Sequence, residues 1–417
     1  MNGRKEHNGG GSLHNIILVV LDGLGDRPCG ELGGKTPLQA AFRPNLNSLM
    51  RNGQGGLLSP IAPGIRAGSD TSHLSLLGYD PQKFYTGRGP FEAMGLGMEV
   101  RGGDIAFRAN FGTRDASGII TDRRAGRLSL GNDELARSLN MEIDGVRFMV
   151  KEGVEHRAAL VMRGEGLSDK ITDSDPHETG RAPHDVAPLS SEAEFTAKVL
   201  NKFLRVSRKV LDEHPVNVQR RKDGKPEGNE LLLRGPGMVP KLTSFEEQHG
   251  MRAACVSAIP MISGIGGLLG MAVVKPEGAT GTLESNFVSK LKEAARLSRE
   301  YDFVLVNVKA TDVAGHDGDA LAKKNAIERI DEALGEMIRS LASGTVLAVT
   351  GDHATPCSLK DHSGDPVPVV FSAPGILPDA AIFFDEFSAA AGMWRIRGLD
   401  VMNILKQMAG RSEKYGA

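Results

Sequence analysis

Scarce residue types do the first sorting. One tryptophan and four tyrosines in 417 residues, at no regular spacing, are too few for a base-stacking platform, so the basic pairs Arg123-Arg124 and Arg220-Arg221 do not read as RNA contacts. A formal net charge of −2 provides no global field to gather polyanions or an anionic bilayer. Anion binding must therefore come from local clusters. The three cysteines, Cys29, Cys255 and Cys357, are far apart and form no CxxC pair, which argues against a disulfide framework and suits a reducing compartment. No run approaches the roughly 20 apolar residues of a spanning helix. Residues 1–12 are polar and glycine-rich, without the apolar segment of a signal peptide. The expectation is a soluble cytoplasmic protein with no nucleic-acid or membrane partner.

The chain is longer than the roughly 250–300 residues at which single cores stop growing, so two domains are expected. Asn15-Ile16-Ile17-Leu18-Val19-Val20-Leu21 is apolar almost throughout and breaks at Asp22-Gly23, the pattern of a strand buried on both faces of a parallel sheet. Between residues 102 and 228 the texture changes to short β-like runs, followed by a helix with Val199, Leu200, Phe203 and Leu204 on one face. The charged, turn-forming residues 220–228 read as a linker. Beyond them strand and helix alternate again: strands at 253–258, 302–308 and 345–349, helices at 284–300 and 320–341. That alternation implies parallel strands. The predicted architecture is an α/β three-layer sandwich with a mostly parallel sheet, built from residues 15–101 and 229–417. It carries a smaller inserted α+β domain at 102–228 and a mobile tail at 1–14.

In parallel sheets function gathers at the carboxyl ends of strands. Asp22, Asp312 and Asp352 each closely follow an apolar strand, so three strand ends converge. Asp312 and His316 are four residues apart, with Gly315 between them. His353 follows Asp352, and His362 sits in a glycine turn. Carboxylates mixed with imidazoles suit zinc or manganese and tolerate magnesium or cobalt. Ser69 stands between Gly68 and the first turn of an expected helix. Taken singly, Ser69 reads as a helix N-cap and each Asp or His as a turn or core residue. Together they point to phosphoryl transfer, with Ser69 the nucleophile at a helix N-terminus.

These residues resemble the alkaline-phosphatase superfamily and, within it, the archaeal-type cofactor-independent phosphoglycerate mutases. The resemblance covers nearly the whole chain after the tail. Its most specific motifs are Leu21-Asp22-Gly23, Gly68-Ser69-Asp70-Thr71-Ser72-His73, Thr86-Gly87-Arg88-Gly89-Pro90, Lys309-Ala310-Thr311-Asp312 through His316, Gly351-Asp352-His353-Ala354-Thr355-Pro356 and His362-Ser363-Gly364-Asp365. It implies an alkaline-phosphatase-like fold and a phosphoserine mechanism interconverting 3- and 2-phosphoglycerate, without 2,3-bisphosphoglycerate. Two divalent ions are implied, manganese first among them, with magnesium, cobalt and zinc also compatible. Asp22, Ser69, Asp352 and His353 would hold one, and Asp312, His316 and His362 the other. The insert would bind the glycerate end. Its candidates are Asp122, Arg123, Arg124, Arg127, His156, Arg163, Asp175 and His177, with Arg108 and Arg157 nearby, because arginine forks match carboxylates and phosphates. A plain metal-dependent phosphatase, or a phosphomutase for another substrate, would share the same core residues. The sequence is compatible with a homo-oligomer and does not require one.

Overall fold

In the computed structural model, residues 13–239, 242–414 and 416 are described. The chain divides into two compact units. The first takes the chain up to Lys83, Thr243–Ile262 and Leu269 onwards; the second is Phe84–Leu242 with Ser263–Leu268. Fourteen strands run through the described residues. In chain order they are β1 (Ile16–Leu21), β2 (Gln54–Ser59), β3 (Ile105–Arg114), β4 (Ile120–Asp122), β5 (Met141–Ile143), β6 (Val146–Glu152) and β7 (Arg157–Arg163). They continue with β8 (Glu230–Met238), β9 (Ala253–Val256), β10 (Ala272–Val274), β11 (Phe303–Val308), β12 (Val346–Thr350), β13 (Val367–Ser372) and β14 (Trp394–Arg397).

The first unit is built on an eight-stranded sheet in the order β10-β9-β11-β1-β12-β13-β2-β14. Only β13 runs antiparallel to its neighbours. β1 lies between β11 and β12, parallel to both, and all six of its residues are buried. Its alternate side chains Ile17, Val19 and Leu21 join one core with Leu291, Ile327, Ile330 and Leu334 from the helices Phe287–Leu297 and Ala320–Ser340. Helices Ser69–Leu76 and Gly398–Met408 pack against each other, and the latter also meets β12. This is the mixed α/β sandwich with a mostly parallel sheet that the alternation predicts.

The second unit has a six-stranded sheet in the order β4-β3-β7-β6-β5, with β8 pairing β3. Its own core centres on Phe107, Phe148, Leu160, Phe203 and Leu231. The boundaries differ from the sequence expectation, which gave residues 229–417 to the first domain: 229–242 and 263–268 fall in the second unit. Residues 84–101 cluster with the second unit, because the helix Gly89–Gly95 packs on β3; Gly89 approaches so closely that a Cβ there would lie 1.9 Å from the Ala106 carbonyl oxygen. The expected linker at 220–228 is an internal turn of the same unit. There Arg220 Nε donates to the Pro226 carbonyl at 2.7 Å, Arg221 pairs with Glu227 at 2.6 Å, and the chain returns as β8 along β3. Of the tail expected at 1–14, residues 1–12 lie outside the described residues. His14 donates its N–H to the Ala409 carbonyl at 3.1 Å.

Candidate active site

β1 delivers Asp22 to the sheet edge, where the Asp22 N–H still donates to Val308 at 2.9 Å. Gly23 then turns with φ +65°, and a Cβ there would lie 2.6 Å from Asp312 Cα. A glycine is required because the conformation is left-handed and the backbones nearly touch. β11 leads through Lys309 into the helix Ala310–Asp317, which carries Asp312 and His316. Asp352 and His353 follow β12 after the single residue Gly351.

Ser69 is the first residue of its helix and not the cap. Gly68 holds the N-cap position with no side-chain cap. Freed from capping, the Ser69 hydroxyl lies 3.1 Å from His353 Nε2 and 3.5 Å from Asp22 Oδ1.

The ligand-type atoms fall into two groups, Asp22–Asp352–His353 and Asp312–His353–His362, each within 4.8 Å of one another, with His353 common to both. His316 Nε2 is 3.5 Å from Asp312 Oδ1, and its Nδ1 is 2.9 Å from the Lys360 carbonyl. His362 Nε2 is 3.6 Å from the same carboxylate oxygen, with Nδ1 2.8 Å from the Ala67 carbonyl. In both imidazoles Nδ1–H donates to the backbone carbonyl, which leaves Nε2 as the inward-facing lone pair. His353 obtains the same tautomer from Thr355. The threonine hydroxyl gives its one hydrogen to Asp312 Oδ1 at 2.8 Å, and so accepts from His353 Nδ1 at 3.1 Å.

Three buried carboxylates so close together need cations. Burial, and then the neighbouring Asp22, push Asp352 up to about 7. Burial lowers His353 to about 4 against the pull of Asp22 and Asp312. Burial also opposes ionisation of Asp312, but Lys309, His353 and His316 outweigh it and hold the acid well below the ordinary range. Asp352 Oδ1 accepts from the Gly23 N–H at 2.9 Å, while its buried Oδ2 has no hydrogen-bond partner. A buried carboxylate oxygen without a donor, beside imidazole lone pairs of fixed tautomer, is what a divalent cation site requires. The residues therefore fit the metal ions that the resemblance implies.

A second concentration of charge lies in the second unit. Arg108 on β3 is directly opposite Arg234 on β8, a like-charge cross-strand pair that ordinarily destabilises a sheet. Burial, then Arg88 and Arg234, depress Arg108 well below the usual guanidinium value; Glu92 opposes this, and Arg157 adds to it. Arg108 Nε is buried without a hydrogen-bond partner. His156 is buried and pushed down to about 4 by burial and then by Arg157, Arg124 and Arg108, and its Nδ1 likewise lacks a hydrogen-bond partner.

Comparison with known proteins agrees with this geometry. Residues 51–217 match the family described as 2,3-bisphosphoglycerate-independent phosphoglycerate mutase. Residues 268–365 match type I phosphodiesterase / nucleotide pyrophosphatase. A Thermoplasma volcanium protein named 2,3-bisphosphoglycerate-independent phosphoglycerate mutase is 56% identical over 405 residues, 97% of this chain and 99% of that protein. The chain belongs to the 2,3-bisphosphoglycerate-independent phosphoglycerate mutase family. Among solved structures, the cofactor-independent phosphoglycerate mutase of Thermoplasma acidophilum is 48% identical with TM-score 0.72, covering 95% of this chain and all (100%) of that one. A Pyrococcus horikoshii protein is 38% identical with TM-score 0.86, covering 97% of this chain and 100% of its own. Members of this mutase family are isomerases.

The structure of this family member brings Asp22, Ser69, Asp312, His316, Asp352, His353 and His362 together. The insert candidates are more dispersed. Arg123 is committed to Asp175 in a bidentate pair at 2.6 and 3.1 Å. Asp122 accepts the Arg124 and Gly126 N–H groups at 2.8 and 2.6 Å, closing a turn that leaves Arg124 and Arg127 exposed. Arg163 pairs with Asp104 at 2.8 Å, and His177 with Asp173 at 3.2 Å. Sequence reasoning gave no individual role to Arg88, Lys309 and Thr355, which stand in its motifs, and did not single out Arg234 or Asn307. Asn307 carried a legible signal, the one polar side chain in the buried strand Phe303–Val308, and its Nδ2 donates to Asp22 Oδ2 at 3.1 Å.

Proposed function

We propose that this chain interconverts 3-phosphoglycerate and 2-phosphoglycerate through a phosphoserine on Ser69, with no 2,3-bisphosphoglycerate. The observation that carries the reading is the Ser69 hydroxyl, released from capping and facing His353 Nε2 and Asp22 Oδ1. Asp22, Ser69, Asp352 and His353 would hold one divalent ion and Asp312, His316 and His362 a second, manganese by expectation. Such ions supply Lewis acidity that activates a hydroxyl and neutralises a phosphoryl group. Ser69 Oγ attacks the phosphorus in line, the glycerate oxygen leaves, and the helix N-terminus beneath Ser69 favours the phosphoryl charge. The bound glycerate then presents its other hydroxyl, which takes the phosphoryl group back from Ser69. Throughout, the carboxylate must be held, and we assign that task to the second unit's arginines 88, 108, 157 and 234, whose mutual repulsion an anion would relieve. His156, held neutral by burial and with no hydrogen-bond partner at Nδ1, is the proton carrier proposed for the glycerate hydroxyls.

Product analysis separates this reading from a metal-dependent phosphatase built on the same core residues. Metal-loaded protein given 3-phosphoglycerate is expected to yield the 2-isomer with no phosphate release; stoichiometric free phosphate sinks the mutase. Ser69→Ala is expected to lower turnover by about 10³-fold or more while retaining bound metal. Wild-type activity in that variant removes the phosphoserine.

A further inference from the structure

Lys309 stands in the centre of the site with no role in the reading above. It occupies the N-cap of the helix Ala310–Asp317, where a cation works against the helix dipole. What offsets that cost is a pair of carboxylates, one from each ligand group. Nζ is 2.7 Å from Asp22 Oδ1 and 2.6 Å from Asp312 Oδ2. Asp22 Oδ1 is also the oxygen facing Ser69 Oγ, so the ammonium and the nucleophile are neighbours across a single atom. The Lys309 side chain is 20% exposed where those of Asp22 and Asp312 are 0% and 3%, which puts it on the open side of the cluster. An ammonium has three donors, and these two carboxylates use two of them.

We propose that Lys309 is a catalytic residue whose ammonium donates to a non-bridging oxygen of the phosphoryl group transferred at Ser69. The proposal rests on the phosphoryl-transfer reading of this site. A partly buried ammonium held by two carboxylates beside the nucleophile adds fixed positive charge where phosphoryl charge spreads over the equatorial oxygens, and it does so without reorganisation during the reaction. The competing role is that of a counterion that only keeps Asp22 and Asp312 in place. That role would govern metal content and leave anion affinity alone once metal is bound.

The test uses inorganic phosphate as the probe, on manganese-loaded full-length protein in the Ser69→Ala background, where turnover does not intervene. Calorimetry is expected to show phosphate binding to Ser69→Ala and weakening of about tenfold or more with Lys309→Met added, as expected for loss of a charge-assisted hydrogen bond. Metal content by mass spectrometry should be unchanged, and Lys309→Arg should restore part of the affinity. Lys309→Gln, a neutral donor of similar size, serves if the methionine variant does not fold. Unchanged phosphate affinity in the substituted proteins, or loss of metal that accounts for the weaker binding, overturns the proposal. Phosphate that fails to bind even the Ser69→Ala parent instead overturns the phosphoryl-site reading, and the role of Lys309 falls with it.

Discussion

Thr355 shows how one hydroxyl can order a cation site. It donates to Asp312 and accepts from His353, so it fixes both a carboxylate orientation and the tautomer of the imidazole that the two ligand groups share. Outer partners of this kind typically affect metal affinity about 10–100-fold. Thr355→Val, nearly isosteric but without the hydroxyl, is therefore expected to weaken manganese binding by about that factor, whereas Thr355→Ser should keep most of it. Calorimetric titration of metal-free protein measures both. Equal affinities for the valine and wild-type proteins would show that the tautomer is set elsewhere. A second buried support lies close by. Lys323, fully buried, donates to Asp26 Oδ2 at 2.8 Å, Gly25 O at 3.0 Å and Thr355 O at 2.9 Å, tying the strand exit after Asp22 to the loop after His353.

Among the elements, the decisive one is the turn after β1. Gly23 combines a φ of +65° with a space in which a Cβ would meet Asp312 Cα, Asp312 Cβ and Thr355 Oγ1 all at 2.6 Å. A side chain there is strained by conformation and by contact, and two of the three contacts are backbone or β-carbon atoms that cannot swing aside. Gly23→Ala is expected to cost about 2–4 kcal/mol in unfolding free energy and to lower metal affinity, because relief comes only by moving Asp312 away from Asp22. Denaturant unfolding with and without manganese checks this. A neutral outcome would mean that the Ala310–Asp317 helix shifts freely, contrary to its packing on the Ala320–Ser340 helix.

At the scale of the whole molecule, stability is coupled to pH through a group away from the ligand cluster. Glu386 accepts from Thr36 Oγ1 at 2.7 Å and from the Asp26 N–H at 3.1 Å, and burial pushes it up to about 7 from the ordinary 4.5 despite those bonds. A raised carboxyl means that the folded state binds the proton more tightly than the unfolded chain. Its contribution is therefore fully present below about pH 4.5 and is lost as pH rises through about 7. With the side chain partly exposed, the loss is on the order of 1–2 kcal/mol. Unfolding free energy is expected to fall between pH 5 and pH 8, and Glu386→Gln, neutral throughout, should flatten that part of the slope. An unchanged slope in the variant would place the titration on another group.

The sequence by itself determined the alternation of apolar strands and amphipathic helices, the mostly parallel sheet, and the carboxylates at three strand ends. Those features are local: a buried strand is legible in six consecutive residues such as Ile16–Leu21, and a strand end is where its hydrophobic run stops. It determined the ligand-type residues through their motifs as well. Only the tertiary structure decided that Gly68 and not Ser69 is the cap, that His353 is shared by both groups, and that Lys309 bridges Asp22 and Asp312. It also decided that Arg108 faces Arg234 across two strands, and that residues 84–101, 229–242 and 263–268 belong to the second unit. Each of these depends on register between segments far apart in the chain, such as Asp22 and Lys309 at a separation of 287 residues, and periodicity within a segment carries no information about which partner its neighbour will be.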